Sequence, residues 1–326
     1  MKRLCVFCGA NSGAKDAYTS AAHELGRLLA RSGIGLVYGG AGIGLMGLPM
    51  CRRLLAAGYP LKVWNRSPDK CAPLVALGAV QVATPAQLCH GSELVMLCLA
   101  DTAALEEVVF ASDGIASAAR ADQLLVDFSS AEPAATRAMA ARLQAACGMR
   151  WVDAPVSGGT PGAEAGSLAI MAGGALADIE RIRPVLAHLG QRLTRMGEVG
   201  AGQVTKVCNQ MIVACNALVI AEVVALAERA GVDAALIAPA LAGGFADSRP
   251  LQILAPQMAE SRFEPIKWHV RTLLKDLDTA VRLSREQGSA TPMSGLAAQL
   301  MRLHGSQGFL AQDPATLVQL YREDEA

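Results

Sequence analysis

The sequence predicts an α/β fold: a Rossmann-type, doubly wound parallel sheet with an extra N-terminal βα unit, followed by an all-α C-terminal domain joined by a long interdomain helix. Short apolar runs alternate with helical patterns through the first two thirds of the chain, which is typical of parallel sheets. After Gly197 the strand-like runs end, and alanine, valine and leucine dominate. The 326 residues are 52% hydrophobic and 18% charged, so the chain can bury a large core.

Apolar runs bounded by turn residues mark the predicted strands. They are Leu4–Phe7, Ile34–Tyr38, Leu61–Trp64, Leu94–Leu99, Leu124–Asp127 and Arg150–Asp153, with a late pair at Leu168–Met171 and Arg192–Arg195. Apolar residues at helical spacing predict the helices Ala14–Ser32 and Gly44–Ala57. Because the strand before the glycines is central in a dinucleotide-binding sheet, we expect Leu4–Phe7 not to pair beside Ile34–Tyr38.

The second half of the chain has a helical pattern. The segment from Val199 to Gly231 contains no proline and predicts one helix of about thirty residues, long enough to join two domains. Further helices are predicted at Ala234–Ala242, Pro250–Glu260, Val270–Glu286, Met293–His304 and Ala315–Glu323. We therefore predict a βα extension over residues 1–33, a dinucleotide-binding domain over 34–196, and an all-helical substrate and oligomerisation domain over 197–326.

Composition and charge argue against several classes of function. Lysine and arginine total 29, as do aspartate and glutamate, so no basic field attracts nucleic acid. The nine cysteines are odd in number and scattered, which favours a reducing compartment, and we expect a cytoplasmic protein. Cys5 and Cys8 form a lone pair without further zinc ligands, so no metal is predicted. The apolar stretch Val207–Ala221 is shorter than the roughly 20 residues that a bilayer needs, so we expect a buried helix and no membrane.

A glycine-rich turn follows the strand Ile34–Tyr38. Gly42, Gly44 and Gly47 fit the pattern G-x-G-x-x-G between a strand and a helix. In that pattern the glycines permit the turn, the approach of a pyrophosphate and close helix packing, and the helix N-terminus favours an anion. The predicted phosphate cradle comprises Gly42, Ile43, Gly44, Leu45, Met46 and Gly47, with a plain tight turn as the alternative.

The end of the next strand indicates which dinucleotide is bound. NAD-binding folds usually have an acidic residue here that accepts hydrogen bonds from the ribose. This strand instead ends in Asn65, Arg66 and Ser67. A guanidinium group favours a 2′-phosphate through charge-assisted hydrogen bonds, so we predict NADP, with NAD as the alternative. A solvated Arg66 without a ligand role is the other interpretation.

Four segments of the chain occur in an order that one family of enzymes shares. They are GLMGLPMCRRLLAAGYPLKVWNRSPDK from Gly44, DAPVSGGTPGAEAGSLAIMAGG from Asp153, GAGQVTKVCNQMIVACNALVIAEV from Gly200, and Lys275-Asp276-Leu277. They resemble the β-hydroxyacid dehydrogenase family, which includes 3-hydroxyisobutyrate dehydrogenase and tartronate semialdehyde reductase. In that family the first segment is similar to the cofactor end, the second to the substrate-binding segment and the third to the catalytic helix, and the last matches the KDL signature.

The first 47 residues resemble a different family, the LOG cytokinin nucleoside-monophosphate phosphoribohydrolases. The chain therefore resembles a fusion whose seam lies in GIGLMG, where both families have a phosphate loop. The hydrolase motif PGGxGTxxE is absent from the rest of the sequence, and Pro161-Gly162-Ala163-Glu164 does not fit it. We expect no hydrolase activity from this segment.

A hydroxyacid dehydrogenase couples hydride transfer to proton transfer, and the proton needs a positioned acid or base. Lys206 is our candidate, because it lies early on the long helix beside an uncharged stretch whose burial would lower its pKa. The family resemblance implies the same role for the matching lysine. Asn209 and Gln210 share its helix face and could hold the substrate, with hydrogen bonding between helices as the alternative.

Other site residues follow from the strand ends and the resemblance. The hydroxyl and backbone N–H groups of Ser157-Gly158-Gly159 suit a substrate carboxylate. Ser129 ends a strand at the cofactor side. The resemblance implies that Lys275 lies near cofactor and substrate, and that Leu99 and Ala100 belong to a loop at the cofactor.

The predicted function is NAD(P)-dependent oxidoreduction of a small β-hydroxy acid or its semialdehyde, of the 2-hydroxy-3-oxopropionate or 3-hydroxyisobutyrate type. A homodimer or homotetramer is expected. Two alternatives stay open: a LOG-like phosphoribohydrolase, and a catalytically impaired nucleotide-binding fusion.

Overall fold

The computed structural model describes residues 33–38 and 46–322. The predicted strand Leu4–Phe7 and helix Ala14–Ser32, and four cradle residues from Gly42 to Leu45, lie outside the described residues. The chain divides into two compact units, one up to Val204 and one from Thr205. This division falls within a helix, a few residues after the predicted domain boundary at 196/197.

The first unit contains one nine-stranded sheet. Its strands are β1 (Gly33–Tyr38), β2 (Leu61–Asn65), β3 (Val80–Gln81), β4 (Ser92–Cys98), β5 (Leu124–Asp127), β6 (Arg150–Asp153), β7 (Val156–Ser157), β8 (Leu168–Gly173) and β9 (Gly190–Gly197). The order is β3-β2-β1-β4-β5-β6-β8-β7, and β9 pairs with β8. From β3 to β6 all pairs are parallel, which confirms the predicted doubly wound sheet.

Strand β1 is central, with β2 on one side and β4 on the other. Both sides of β1 are therefore occupied by described strands, while Leu4–Phe7 lies outside the described residues. The late pair β8 and β9 is confirmed and is parallel. The two-residue strands β3 and β7 were not predicted, because two residues are too short for any alternation of apolar and polar side chains to appear.

The strand sequences are continuously apolar because both faces of the sheet are covered. Along β4, Leu94 and Met96 belong to one buried cluster, whereas Val95 and Leu97 belong to another. This alternation places neighbouring side chains on opposite faces. Each face is packed against helices of the first unit, which are α1 (Gly47–Ala56), α2 (Ala72–Val75), α3 (Pro85–Cys89), α4 (Thr102–Phe110), α5 (Pro133–Cys147), α6 (Gly159–Ala165) and α7 (Leu176–Leu186).

The second unit is helical, as predicted. Helix α8 (Ala201–Arg229) begins in the first unit and continues into the second, where it is followed by α9 (Ile237–Leu241), α10 (Arg249–Ala259), α11 (Val270–Glu286) and α12 (Pro292–Ser306). The predicted helix Ala315–Glu323 is wrong as an α-helix. Pro314–Leu320 forms a 3₁₀-helix, in which the N–H of Thr316 donates to the carbonyl of Asp313 three residues earlier.

Helix α8, with 29 residues, is longer than the apolar stretch Val207–Ala221, which by itself is too short to span a bilayer. Its mean hydropathy reaches 2.0, and among the described residues it is the one helix that is long and apolar enough to cross a membrane. Length therefore does not distinguish a span from a core helix. The helix contributes Ala214, Ala217, Leu218, Ile220, Ala221, Val224 and Ala225 to the core of the second unit. One side of α8 therefore packs in the core of the second unit, and 39% of its apolar 18-residue window is buried.

Candidate active site

The carboxyl ends of the central strands meet at one edge of the sheet. Tyr38 at the end of β1 aligns with Asn65 of β2 and Cys98 of β4, and Asp127 at the end of β5 aligns with Leu97 of β4. The strand order reverses at β1. In parallel sheets a ligand binds outside the carboxyl ends at such a switch point. We call this edge, with the loops that follow β1, β2, β4 and β5, the cofactor edge.

Helix α1 follows the glycine-rich segment of the sequence, most of which lies outside the described residues. It begins at Gly47, which is buried, with Met46 immediately before it. Its first turn contains no acidic side chain. The backbone N–H groups at such a helix start, together with the helix dipole, attract an anion. Two of the six predicted cradle residues are thus described, and their surroundings fit a phosphate group.

The loop after β2 is ordered by its own first residue. The side chain of Asn65 is buried, and its Nδ2 donates to the carbonyl oxygen of Ser67 at 2.7 Å. Arg66 and Ser67 are exposed. Asn65 therefore shapes the loop from within, while Arg66 extends from it into solvent, where a guanidinium group can reach a phosphate.

The loops after β4 and β5 are tied together. The N–H of Leu99 donates to Oγ of Ser129 at 2.8 Å, and the N–H of Ser129 donates to Oδ1 of Asp127 at 2.9 Å. Leu99 and Ser129 are buried, whereas Ala100 is exposed. The structure thus brings two predicted cofactor residues into contact. The Ser129 hydroxyl is engaged inside the protein, and the neighbouring Ser130 is the more accessible of the two serines.

Asp127 is a fully buried carboxyl group at the cofactor edge. Its pKa is raised to about 7, mainly because the group is buried; hydrogen bonds from Ser129 oppose this shift, and the nearby charge of Asp153 contributes to it. Its Oδ2 has no hydrogen-bond partner among the residues that the structure describes. The sequence placed this residue at a strand end without giving it a role. The signal that could have identified it as a site residue is its place at the carboxyl end of a parallel strand, where ligands bind.

The predicted carboxylate-binding turn follows β7. Ser157 ends that strand, and α6 begins at Gly159. Gly158 has a φ of 135° and Gly159 a φ of 62°, conformations that side chains with a Cβ rarely adopt. The two glycines are therefore required for the backbone to turn here. All three residues retain some solvent exposure, so their polar groups are accessible.

In the second unit, three predicted site residues are joined to Asp276 by hydrogen bonds or an ion pair, and a fourth, Lys206, lies within electrostatic range of it. Nδ2 of Asn209 donates to Oε1 of Gln210 at 2.7 Å, and Nε2 of Gln210 donates to Oδ2 of Asp276 at 2.6 Å. Nζ of Lys275 lies 3.2 Å from Oδ1 of Asp276. Lys206 lies one turn before Asn209 on α8, within electrostatic range of Asp276 and Lys275. We call these five residues the lysine cluster.

The electrostatics of the lysine cluster act on the amine of Lys206. Burial lowers its pKa from the ordinary value, and the positive charge of Lys275 lowers it further. The carboxylate of Asp276 opposes both effects. A lysine whose pKa is lowered exchanges a proton more readily near neutral pH than an exposed lysine does. Such an amine can serve as an acid in one direction of a reaction and as a base in the other.

Asp276 is the residue of the lysine cluster that sequence reasoning left without a site role. It belongs to the quoted Lys275-Asp276-Leu277 segment, so the signal was present. A helical pattern gives the face on which a residue lies, but it does not show which side chain of another helix will meet it.

No metal site is found among the described residues. Within 33–38 and 46–322, no group of three or more His, Cys, Asp or Glu side chains could hold a metal ion.

Two protein-family profiles match the chain. The NAD-binding domain of 6-phosphogluconate dehydrogenase matches residues 37–197, and the NAD-binding domain of NADP-dependent 3-hydroxyisobutyrate dehydrogenase matches residues 200–321. The LOG resemblance covers residues 1–47, but neither profile extends to the first 36 residues and the first of them matches from residue 37, so these comparisons do not support that resemblance.

Known proteins match over most of the chain. It is 36% identical to the 2-hydroxy-3-oxopropionate reductase of Escherichia coli strain K12, over 85% of this chain and 94% of that one. A Mycobacterium tuberculosis 3-hydroxyisobutyrate dehydrogenase solved with L-serine has 26% identity and a TM-score of 0.78, with 89% and 99% covered. Psf3, solved with NADP⁺ and 2-OPP, has 25% identity and a TM-score of 0.77, with 89% and 100% covered.

Proposed function

The chain belongs to the NAD(P)-dependent 3-hydroxyacid dehydrogenase family, and we propose that it transfers a hydride between nicotinamide and a small β-hydroxy acid or its semialdehyde. The substrate would be of the 2-hydroxy-3-oxopropionate or 3-hydroxyisobutyrate type. The observation that supports this proposal most directly is the lysine cluster, in which burial lowers the pKa of Lys206 beside the amides of Asn209 and Gln210. Acid–base chemistry on a substrate oxygen needs such a group.

Lys206 acts on the substrate oxygen. When bound, the nicotinamide ring supplies or accepts the hydride. In reduction, the Lys206 ammonium donates a proton to the carbonyl oxygen as negative charge develops there, and in oxidation the neutral amine removes the hydroxyl proton. Asp276 keeps the ammonium form accessible by opposing the effect of burial. Burial lowers the pKa of Lys206 and Asp276 raises it, so the amine can donate a proton during reduction and accept one during oxidation.

Substrate orientation falls to the neighbouring polar groups. The amide of Gln210 accepts a hydrogen bond from Asn209 and donates one to Asp276, and these two bonds fix its orientation. Asn209 lies one turn after Lys206 on α8, and we assign its amide to a substrate hydroxyl or carboxylate. Lys275, whose side chain is 48% exposed, and the Ser157-Gly158-Gly159 turn are the groups that we assign to the substrate carboxylate.

The catalytic proposal is tested with tartronate semialdehyde, methylmalonate semialdehyde and succinic semialdehyde, each with NADPH and NADH. On the substrate turned over, Lys206→Ala should lose about 100- to 10,000-fold in kcat, the usual contribution of a positioned acid, and should still bind NADPH. Lys206→Arg should be equally impaired, because a guanidinium group does not release its proton. Lys267→Ala, at an exposed lysine of the same unit, is the control. Near-normal turnover by Lys206→Ala would remove this residue from the mechanism.

NADP is the proposed cofactor, with NAD as the alternative. The exposed Arg66 at the end of β2 and the NADP⁺ bound to Psf3 support NADP. Arg66→Ala should weaken the binding of NADPH more than that of NADH, as measured by fluorescence titration of Kd. Arg192→Ala, at an exposed arginine on β9, controls for the loss of one positive charge. Equal weakening for both cofactors would contradict the assignment.

A homodimer or homotetramer in the cytoplasm completes the proposal. Helix α8 exposes Ile212, Val219, Val223 and Leu226, whose spacing places them on one helix face. Ile212 and Leu226 are 64% and 69% exposed, which is unusual for apolar side chains on a helix of this length. Leu226→Glu should lower the mass measured by sedimentation if this face is an interface. The odd number and scattered positions of the nine cysteines support the cytoplasmic location.

A further inference from the structure

The first turn of α8 is held by a buried carboxylate from the sheet. Asp153, at the end of β6, accepts hydrogen bonds from the N–H of Gly200 at 2.7 Å and of Gln203 at 2.8 Å. These are N–H groups that a helix start leaves without partners in the helix itself. A Cβ at Gly173 would lie 2.5 Å from Oδ1 of Asp153, and one at Gly202 would lie 2.8 Å from Oδ2. The carboxylate is therefore enclosed as well as hydrogen-bonded.

A second tether joins the same turn to the cofactor edge. The side chain of Gln203 is 1% exposed. Its Oε1 accepts from the N–H of Ala131 at 3.1 Å, and its Nε2 donates to the carbonyl oxygen of Ser129 at 2.8 Å. Ser129 is also the residue whose hydroxyl accepts from Leu99. One buried amide thus connects the start of α8 to the two loops in which the predicted cofactor residues lie.

The helix extends this connection to Lys206. Residue 206 follows residue 203 by three positions, a rise of about 4.5 Å within one continuous helix. A hydrogen-bonded turn allows little independent movement over that distance. We propose that Gln203 is a positioning residue: by fixing the first turn of α8 to the loop Ser129–Ala131, it holds in place the helix turn that leads directly into Lys206. This inference rests on the proposed function.

The loss of Gln203 has a specific physical consequence. Methionine fills a similar volume but pairs with neither Ala131 nor Ser129, and the loop and the helix turn then separate or recruit water. A displacement of about 1 Å at a catalytic group lowers the rate by roughly 100-fold, whereas the binding of a cofactor by other groups is affected little. The expected signature is therefore a loss in kcat with nearly unchanged KM and NADPH affinity.

The experiment compares Gln203→Met with Gln123→Met in the full chain. Gln123 is also buried, accepts from Arg120 and donates to the carbonyls of Cys89 and Ser92, but it lies just before β5, at the end opposite the cofactor edge. Both variants should lose similar stability in urea. Gln203→Met alone should lose roughly 10- to 100-fold in kcat. Equal kcat for the two variants, at a temperature where both are folded, would show Gln203 to be structural only.

A second readout does not depend on turnover. Lysines are methylated with ¹³C-formaldehyde, the Lys206 signal is assigned by its absence in Lys206→Arg, and its titration is followed by NMR without cofactor. The charges of Lys275 and Asp276 that act on Lys206 are the same in every variant. In Gln203→Met the titration midpoint should rise toward that of an ordinary lysine, because water reaches the loosened turn, and in Gln123→Met it should not move. An unchanged midpoint in Gln203→Met overturns the inference.

The two proposals can fail separately. A wild-type protein inactive on every substrate contradicts the proposed function, while the NMR titration still decides whether Gln203 controls the surroundings of Lys206. If Gln203→Met does not fold, Gln203→Glu replaces it, since it keeps the side-chain shape and the acceptor for Ala131. That variant should lose several-fold in kcat through the missing bond to Ser129, and full activity would again overturn the inference.

Discussion

Replacing Gly202 by alanine tests the packing at the start of α8. A Cβ on this residue would lie 2.3 Å from the carbonyl oxygen of Met171 and 2.8 Å from both the carbonyl oxygen and Oδ2 of Asp153. Two of these three atoms belong to the backbone of β8 and β6, so they cannot rotate away as the end of a side chain can. The added methyl group must displace the helix turn or the strands.

The magnitude follows from two opposing effects. Alanine is favoured over glycine in a helix by about 1 kcal/mol, because glycine loses more backbone entropy on folding. Overpacking costs about 1–3 kcal/mol, and contacts as short as these belong at the upper end of that range. We therefore expect Gly202→Ala to lower the free energy of unfolding by about 2 kcal/mol. Gly295→Ala in α12, where a Cβ meets nothing within 4 Å, should raise it by about 0.5–1 kcal/mol.

Urea denaturation measures this difference. Trp64 and Trp151 lie on β2 and β6 of the first unit, so in a Trp268→Phe background the fluorescence reports the unit to which Gly202 belongs. Gly295→Ala is followed by Trp268 in a background that lacks the other two tryptophans. The two glycine variants should shift their transitions in opposite directions. If Gly202→Ala stabilises the first unit as an ordinary helical alanine would, the close approach of α8 to the sheet is not as described.

Three further predictions concern buried or partly buried charges. Burial raises the pKa of Asp127 to about 7, so the native state retains a proton that the unfolded chain loses. The free energy of unfolding should therefore fall as the pH rises from about 4 to about 7. Asp127→Asn should remove that decline, as measured by urea titrations. His304 should have the opposite effect, because burial lowers its pKa to about 4. The free energy of unfolding should fall as the pH drops from about 6.5 to 4, by up to about 1.4 kcal/mol per pH unit. His304→Gln should not show this fall. Asp276→Asn should lower the pKa of Lys206 further, so that the reduction rate declines from a lower pH, whereas Asp278→Asn, which disrupts a pair with Arg302, should leave the pH profile unchanged.

The sequence was sufficient to predict the sheet and the edge at which the cofactor loops meet. Strands such as β4 and β5 are apolar on both faces, and this pattern arises only in a covered parallel sheet. The glycine pattern after the strand Ile34–Tyr38 predicts the switch point there, and the strand order reverses at β1. Both inferences depend on residues close to one another along the chain, for which spacing and side-chain type carry the information.

Contacts between distant residues could not be predicted in the same way. Gln210 meets Asp276, sixty-six positions further along the chain, through a single hydrogen bond. Gln203 meets Ser129 across seventy-four positions. Helical periodicity gives a face for each residue, but the partner depends on how two elements are packed and rotated, and that is determined by the whole core. The end of the chain shows the same limit. Its pattern predicts an α-helix, but its hydrogen bonds join residues three positions apart, so it forms a 3₁₀-helix.

The segment from Gly200 to Lys206 combines packing, helix capping and proposed chemistry within seven residues. Gly202 allows the close approach to the sheet, Asp153 binds the free N–H groups of the turn, and Gln203 joins it to the cofactor edge. A change at Gly202 therefore disturbs the same turn that presents Lys206. Gly202→Ala should then lose kcat as well as stability, whereas Gly295→Ala, on a helix outside this turn, should gain stability with no change in kcat. A Gly202→Ala enzyme with reduced stability but full kcat would show that the turn and Lys206 are mechanically independent.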